Sequence, residues 1–168
     1  IVTDHHLVGE VEPSGLVAHV NPQRASSRYP QSNIAGVAVA WHVMRALQRK
    51  HLDLIPEGHE KWWLDLVALG TVCDVVPLVG DNRIFTQYGL KVLAKTRRPG
   101  LIALAEVSSV DLERIQASDL GFRFGPRLNS SGRLEHARLS LDVLLAESPE
   151  EALRCASKLD RLNAKRQK

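Results

Sequence analysis

The hydrophobic and polar positions at the start of the chain predict two short strands, with a polar loop after the first. Residues 1–3 (IVT) are uncharged and β-branched, which is typical of the end of a buried strand. Residues 16–20 (LVAHV) form a second apolar run, and a turn-prone Asn-Pro pair follows it. An acid and two histidines at positions 4–6 lie where the first strand is expected to run out into a loop, the edge at which open α/β sheets collect ligands.

From residue 34 onward the apolar positions recur with a helical period, so most of the remaining chain is predicted to be helical. Ser32 or Asn33 is expected to cap a helix whose apolar face continues to about Lys50. The most apolar stretch is expected to be a buried helix that ends between residues 70 and 74, because Pro77 prevents its continuation. Further helices are predicted in NRIFTQYGLKVLAKT, RRPGLIALAEV and HARLSLDVLLAE.

The last part of the chain combines a predicted loop with a predicted long helix. The segment DLGFRFGPRLNSSGRL shows neither the helical nor the strand period and mixes glycines with arginines, which favours a structured functional loop. The terminal helix is expected to begin after Ser148 as its cap, with Pro149 at the first helical position and Glu151 at the third.

Composition indicates one ordinary domain of a globular protein. The 168 residues are 44% hydrophobic and 24% charged, and no apolar run approaches the roughly 20 residues that cross a bilayer. The only two cysteines, Cys73 and Cys155, form no C-x-x-C pair, so a reducing cytoplasmic setting is expected. The net charge of +3 is compatible with a polyanionic partner, and residues 121–168 alone carry ten basic and six acidic residues. Because the chain starts in a strand pattern without Met and ends in a helical pattern, we expect a piece of a larger protein.

The side chains Asp4, His5 and His6 supply nitrogen and oxygen donors of the kind that Mn²⁺, Zn²⁺ or Fe²⁺ accept. Neighbouring residues of a strand point to opposite faces, so one histidine would bind metal while the other remains for substrate. Asp4 would orient its neighbours. A polar strand end whose histidines bond to the backbone is about equally compatible with these residues.

Asp74 is a single acid in a run of apolar and small residues, where a carboxylate needs a metal, an arginine or N–H donors. Helix capping is the simpler alternative. In the predicted loop, the guanidinium groups of Arg127 and Arg133 and the amide of Asn129 suit phosphate oxygens. Taken alone, a surface loop with incidental arginines is slightly favoured there.

Taken in order, the motifs DHH, VNP, IAGVAVAW, LDLVALGTVCDVVPL, DNR, GFRFGPRLNSSGRL and LNAKRQ resemble the RecJ family of single-strand-specific 5′→3′ exonucleases, within the DHH phosphoesterase superfamily. The resemblance covers residues 1–168 in order. It implies an α/β fold: the C-terminal part of a DHH-type core in residues 1–80, with a short parallel sheet flanked by helices. A mostly helical segment with the GPRLNSSGRL loop and a long terminal helix would follow in residues 81–168.

The resemblance also implies the chemistry and the site. His5 and Asp74 would be metal ligands for two Mn²⁺ or Mg²⁺ ions, with Asp4 and His6 in catalytic roles. Single-stranded DNA would be the partner, in DNA repair and recombination, with no membrane involved, and its phosphates would contact Arg127, Asn129 and Arg133.

The family's upstream aspartate motifs are not in the sequence, so the isolated piece is expected to bind metal poorly and to cleave little. Two alternatives stay open. One is a DHH phosphodiesterase of short oligonucleotides or cyclic dinucleotides, and the other is an inactive nucleic-acid-binding or scaffold relative.

Overall fold

The computed structural model describes residues 1–9, 14–134 and 137–167, with only the backbone described at 133 and 134. The chain divides into two compact units, Ile1–Gly89 and Leu90–Lys168, and each is described by itself. The predicted division into a catalytic-core part and a helical part at residue 80 stays a prediction. The fold class is confirmed: a short parallel sheet and helices come first, and a helical segment with a long last helix follows.

The first unit contains a two-stranded parallel sheet. Strand β1, Val2–Thr3, pairs with β2, His19–Val20, so that Val2 lies opposite His19 and Thr3 opposite Val20. The second strand is shorter than the run predicted over residues 16–20, because the side chain of Val17 is 91% exposed and lies outside the core. Beyond the strand pair, the N–H of Asp4 donates to the carbonyl of Val20 at 3.0 Å, which ties the loop after β1 to the end of β2.

Three α-helices and a 3-10 helix, His59–Lys61, complete the described part of the first unit: α1 (Gly36–Lys50), α2 (Leu64–Cys73) and α3 (Gly80–Leu93), which runs past the unit's end. The predicted caps Ser32 and Asn33 are wrong, since α1 begins at Gly36 and no side chain caps it. The physical reason is that the two residues just before Gly36 are buried, which holds this stretch extended in the core. That core consists of Ile34, Ala38, Val39, Val67 and Phe85.

The described residues of the second unit form helices joined by short loops, including a 3-10 helix at Leu112–Arg114 and no strand. The unit contains α4 (Pro99–Ser108), α5 (Ala117–Asp119), α6 (Gly125–Leu134), α7 (Arg138–Leu145) and α8 (Pro149–Arg166). Helix α8 packs against α4, α6 and α7. Its predicted start is confirmed, because Ser148 Oγ accepts from the N–H of Glu151 at 3.1 Å. The buried apolar side chains of this unit include Leu101, Leu104, Leu120, Phe124, Val143 and Leu159.

The predicted loop DLGFRFGPRLNSSGRL is wrong, since this segment is helical. A π-helical turn over Leu120–Phe124 leads directly into α6. The wider π turn breaks the spacing of the apolar residues, so the helical period is not visible in the sequence. Ser130 and Ser131, residues of a type that is unfavourable in helices, are both buried. The Oγ of Ser130 donates to the carbonyl oxygens of Arg127 and Leu159. Packing against α8 therefore overrides the weak local propensity.

Within residues 1–9, 14–134 and 137–167, the structure contains no helix with both the length and the apolar character that membrane crossing requires.

Candidate metal and nucleic-acid site

The carboxylate of Asp4 organises the loop that follows β1. Its Oδ1 accepts from the N–H of His5 at 2.7 Å, from the N–H of His6 at 3.3 Å and from the ring Nδ1 of His6 at 2.7 Å. The His6 side-chain bond, followed by the two backbone bonds, lowers the pKa of Asp4 to about 2. Asp4 is therefore ionised at neutral pH, and its Oδ1 is used to shape the loop.

His5 faces Asp74, which lies far from it in the sequence. The Nδ1 of His5 is 3.4 Å from Oδ2 of Asp74, and the two side chains are 18% and 37% exposed. Asp74 follows the last residue of α2, so that helix carries its carboxylate. The His5 ring also lies over Gly36 at the start of α1, where an added Cβ would be 3.1 Å from Cδ2 of His5. The β1 loop, α1 and α2 thus meet around one imidazole.

His6 differs from His5 in its exposure and in the carboxylate that it contacts. Its side chain is 77% exposed, and its ring nitrogen is bound to Asp4. The two histidine rings lie 4.4 Å apart between centroids and are tilted by 49°. His5 thus faces Asp74 and is mostly buried, whereas His6 is exposed and bound to Asp4, and the metal and substrate roles expected for them stay predictions.

The donors at Asp74 and His5 suit a metal ion in part. Two ligands that share one cation at about 2.0–2.2 Å each can be separated by 3.4 Å. A carboxylate oxygen and an imidazole nitrogen are both donors that Mn²⁺ accepts. In the part of the chain that the structure describes, however, no three His, Cys, Asp or Glu side chains form a metal-binding group. The pair therefore supplies two donors, and a full coordination shell requires further ligands.

Sequence reasoning missed Asn21, which supports this loop from β2. The side chain is 5% exposed; its Nδ2 donates to the carbonyl of His6 at 2.9 Å, and its Oδ1 accepts from the N–H of Gln23 at 2.8 Å. The Asn-Pro pair indicated a turn, which is correct, but gave no sign of the long-range bond to His6. Asn21 thus links the carbonyl of the second histidine to the end of β2.

Val75 was also missed, and it immediately follows Asp74. Its φ of 60° lies in the left-handed region, which is unfavourable for a β-branched residue, and its side chain is 86% exposed. Glycine is the usual residue at this position after a helix. The backbone beside the predicted metal ligand is therefore held in a strained conformation.

The predicted phosphate-binding residues lie on α6, in the second unit. The guanidinium of Arg127 is 17% exposed: Nε and Nη2 bind Asp160 Oδ1 at 2.9 and 2.8 Å, and Nη1 binds the carbonyl of Arg123 at 2.9 Å. Asn129 is exposed. The side chain of Arg133 lies outside the described part of the chain. Arg127 is thus used to join α6 to α8, and its phosphate-binding role stays a prediction, as do those of Asn129 and Arg133.

Comparison with known proteins shows relatives of this chain. No protein-family model matches the chain. The single-stranded-DNA-specific exonuclease RecJ of Salmonella typhimurium is 44% identical over 174 residues, which cover 99% of this chain. Nearly the whole chain is thus similar to RecJ proteins. RecJ of Bacillus subtilis is 38% identical over 168 residues, all of this chain and 20% of that relative. The chain spans about 30% of the length of the Salmonella relative.

Two solved RecJ structures share the fold. RecJ from Thermus thermophilus in complex with Mn²⁺ matches with a TM-score of 0.81 and 35% identity, over 98% of this chain and 24% of that one. An exonuclease RecJ bound to manganese matches with a TM-score of 0.83 and 34% identity, over 98% of this chain and 40% of that one. A further RecJ structure from Thermus thermophilus contains Mg²⁺. Mn²⁺ and Mg²⁺ are thus the metals found with this fold.

Proposed function

We propose that this chain is a segment of a metal-dependent 5′→3′ exonuclease that hydrolyses single-stranded DNA in repair and recombination. The observation that carries the proposal is the convergence of His5 and Asp74, 3.4 Å apart, from two separate elements. The homology to single-stranded-DNA-specific exonucleases supports it. Because the chain spans about 30% of the Salmonella relative, the activity belongs to a longer protein that contains it.

In this proposal the residues of the chain have distinct tasks. His5 and Asp74 bind Mn²⁺ or Mg²⁺, and the bound ions lower the pKa of a water molecule that attacks phosphorus. Asp4 holds the turn of the loop through its three hydrogen bonds, so that His5 keeps its orientation. His6 is exposed and faces the scissile phosphate. Its ring nitrogen, bound to the ionised Asp4, is fixed in one orientation.

The phosphates of the bound strand contact the helix α6. Asn129 and Arg133 are four residues apart in the sequence of that helix, a spacing that suits contacts with neighbouring phosphates. Arg127 contributes by positioning α6 against α8 through Asp160, and a direct phosphate contact by Arg127 would require this ion pair to open.

The test uses the full-length protein that contains this chain. With Mn²⁺ present, we expect stepwise release of nucleotides from the 5′ end of a long single strand. Hydrolysis should fall by at least about 100-fold in His5→Ala and in Asp74→Ala, because each removes a metal ligand. His59→Ala, at an exposed histidine of the same unit, is the control and should keep full activity. Hydrolysis of dinucleotides but not of long strands would favour a phosphodiesterase instead. Full activity of both ligand variants would exclude the nuclease proposal.

We also propose a cytoplasmic location. Cys73 and Cys155 form no disulfide in the structure, as expected in a reducing compartment. Burial raises the pKa of the Cys73 thiol to about 11, so this cysteine, next to Asp74, is protonated and a poor metal ligand. Fractionation of cells that express the full-length protein tests the location.

A further inference from the structure

Helix α8 carries a line of basic side chains along its exposed side. Arg154, Lys158, Arg161 and Lys165 are all exposed. They follow one another at intervals of four, three and four residues. At about 100° per residue, these intervals place all four within an arc of about 60° on one side of the helix. We name these four side chains the α8 basic stripe.

The other side of α8 forms the core of the second unit. Its buried residues are Ala152, Ala156, Leu159, Leu162 and Asn163. The stripe lies on the side of the helix away from most of these residues, so packing between α8 and its neighbours does not require the four charges. Packing of the core therefore does not explain why these four positions are basic.

The acids of α8 lie at the start of the stripe and on another side of the helix. Glu150 and Glu151 lie in the first turn, four and three residues before Arg154, where they favour the helix dipole and flank only the start of the stripe. Asp160 is bound to Arg127 at 2.8 Å. A face that only serves solubility usually mixes both signs. The stripe instead places like charges three and four residues apart, an arrangement that destabilises a helix by itself.

We propose that the α8 basic stripe binds the phosphate backbone of a single nucleic-acid strand, at a place separate from Asn129 and Arg133. From Arg154 to Lys165 the four cations span about 16 Å, which corresponds to roughly five phosphates at one per 3.4 Å of a stacked strand. The stripe contains no aromatic side chain on which a base can stack, so it contacts the backbone without reading sequence. The choice of a single strand rests on the proposed function.

The test measures binding without hydrolysis. The full-length protein that contains this chain is titrated into a fluorescent oligothymidylate of about 20 nucleotides, longer than most single-strand sites, with EDTA present and KCl varied. The stripe variant combines Arg154→Gln, Lys158→Gln, Arg161→Gln and Lys165→Gln. The control variant removes the same charge from exposed residues outside α8, by changing Arg49, Lys50, Lys61 and Lys95 to Gln. Circular dichroism checks that both variants remain helical.

The slope of log affinity against log salt counts the phosphates that are neutralised. Each phosphate contributes about 0.7 to that slope on a single strand, so the stripe variant should lose about 2 to 3 from it and the control less than about 1. If the stripe variant does not fold, Lys158→Gln with Arg161→Gln should lose about half as much. An unchanged slope in the stripe variant, or an equal loss in the control, would overturn the proposal.

Two further outcomes separate this inference from its alternatives. If a poly-glutamate of equal charge binds as tightly as the oligothymidylate, the stripe is a surface for acidic polymers, and its assignment to nucleic acid is wrong. Since no cleavage is measured, a failed nuclease assay leaves this result standing. Likewise, an unchanged salt slope in the stripe variant would leave the nuclease proposal unaffected.

Discussion

The Nδ1 atom of His5 lies 3.4 Å from the Oδ2 atom of Asp74. The histidine comes from the loop after β1, whereas the aspartate follows the last residue of α2, so the contact depends on how both elements are held. Gly36 lies beneath the histidine ring, and Asn21 supports the neighbouring carbonyl of His6. These two supports make the pair sensitive to substitutions that touch neither of its members.

The first prediction concerns Gly36→Ala. The added Cβ would lie 3.1 Å from Cδ2 of His5, so the ring must shift by a few tenths of an ångström away from its present position. We expect hydrolysis by the full-length protein to fall about tenfold, because small misplacements of a catalytic group are costly. The melting temperature should change little, since Ala favours the helix.

Gly9→Ala is the matched control for Gly36→Ala, because nothing lies within 4 Å of a Cβ at Gly9. It should leave both activity and melting temperature unchanged. Full activity of Gly36→Ala would show that the position of His5 tolerates the shift.

The second prediction concerns the acid stability of the loop at Asp4. The pKa of Asp4 is lowered from 3.8 to about 2 in the folded chain. The stabilisation by its ionised form is therefore complete above about pH 4 and is lost as the pH falls towards 2. We expect the free energy of unfolding of the wild type to fall towards that of Asp4→Asn across this range. Urea unfolding from pH 6 to pH 2 measures it, and two parallel curves would contradict the prediction.

The third prediction concerns the bond from Asn21 to His6. Asn21→Ser keeps a short oxygen that can accept from Gln23 but cannot reach the carbonyl of His6. We expect a loss of about 1–2 kcal/mol in unfolding free energy, because a part-buried bond is removed. Amide hydrogen exchange at His5 and His6 should also accelerate.

Asn163→Ser is the control for this experiment. Asn163 is similarly buried, at 4% exposure, and accepts from Arg166 in the second unit. Its substitution should lower stability without selectively accelerating exchange at the two histidines. If both variants gave the same exchange pattern, the role assigned to Asn21 would be wrong.

The fourth prediction separates a structural role of Arg127 from a phosphate contact. Its guanidinium donates to Asp160 and to the carbonyl of Arg123 from a part-buried position. Arg127→Ala should cost about 1.5–3 kcal/mol of stability, the range for charged hydrogen bonds. Arg138→Ala, which breaks the exposed pair with Asp142, should cost clearly less, because water screens an exposed ion pair. Unfolding in urea compares the two, and an equal, small loss in both would contradict the structural role.

The sequence singles out His5 and Asp74, and the structure places them 3.4 Å apart, while their role as metal ligands stays a prediction. His5 and Asp74 were chosen because each is a polar group at an apolar strand or helix end, and burial makes such groups need partners. The same logic of local signals placed the cap Ser148 correctly. These features depend on a few neighbouring residues, which the sequence contains.

The features that the sequence did not predict depend mostly on contacts between residues that are far apart in the chain. The segment from Leu120 to Leu134 is helical because its buried side chains pack within the second unit, and a π turn hides the period. Helix α1 begins later than the sequence predicts, because the two apolar residues before it are buried in the core. The role of Asn21 depends on a hydrogen bond to His6, which lies 15 residues away in the sequence. The left-handed φ of Val75 could not be predicted, because no glycine or asparagine in the sequence indicates it.

The central claim is that His5 and Asp74 bind the same cation. A double-mutant cycle on Mn²⁺ affinity, measured by titration of the full-length protein with His5→Ala, Asp74→Ala and the double variant, tests it directly. Each single change should weaken binding by at least about tenfold, and the double variant should lose little more than the worse single variant, because ligands of one ion are coupled. Losses that simply add, or affinities that do not change, would contradict the claim.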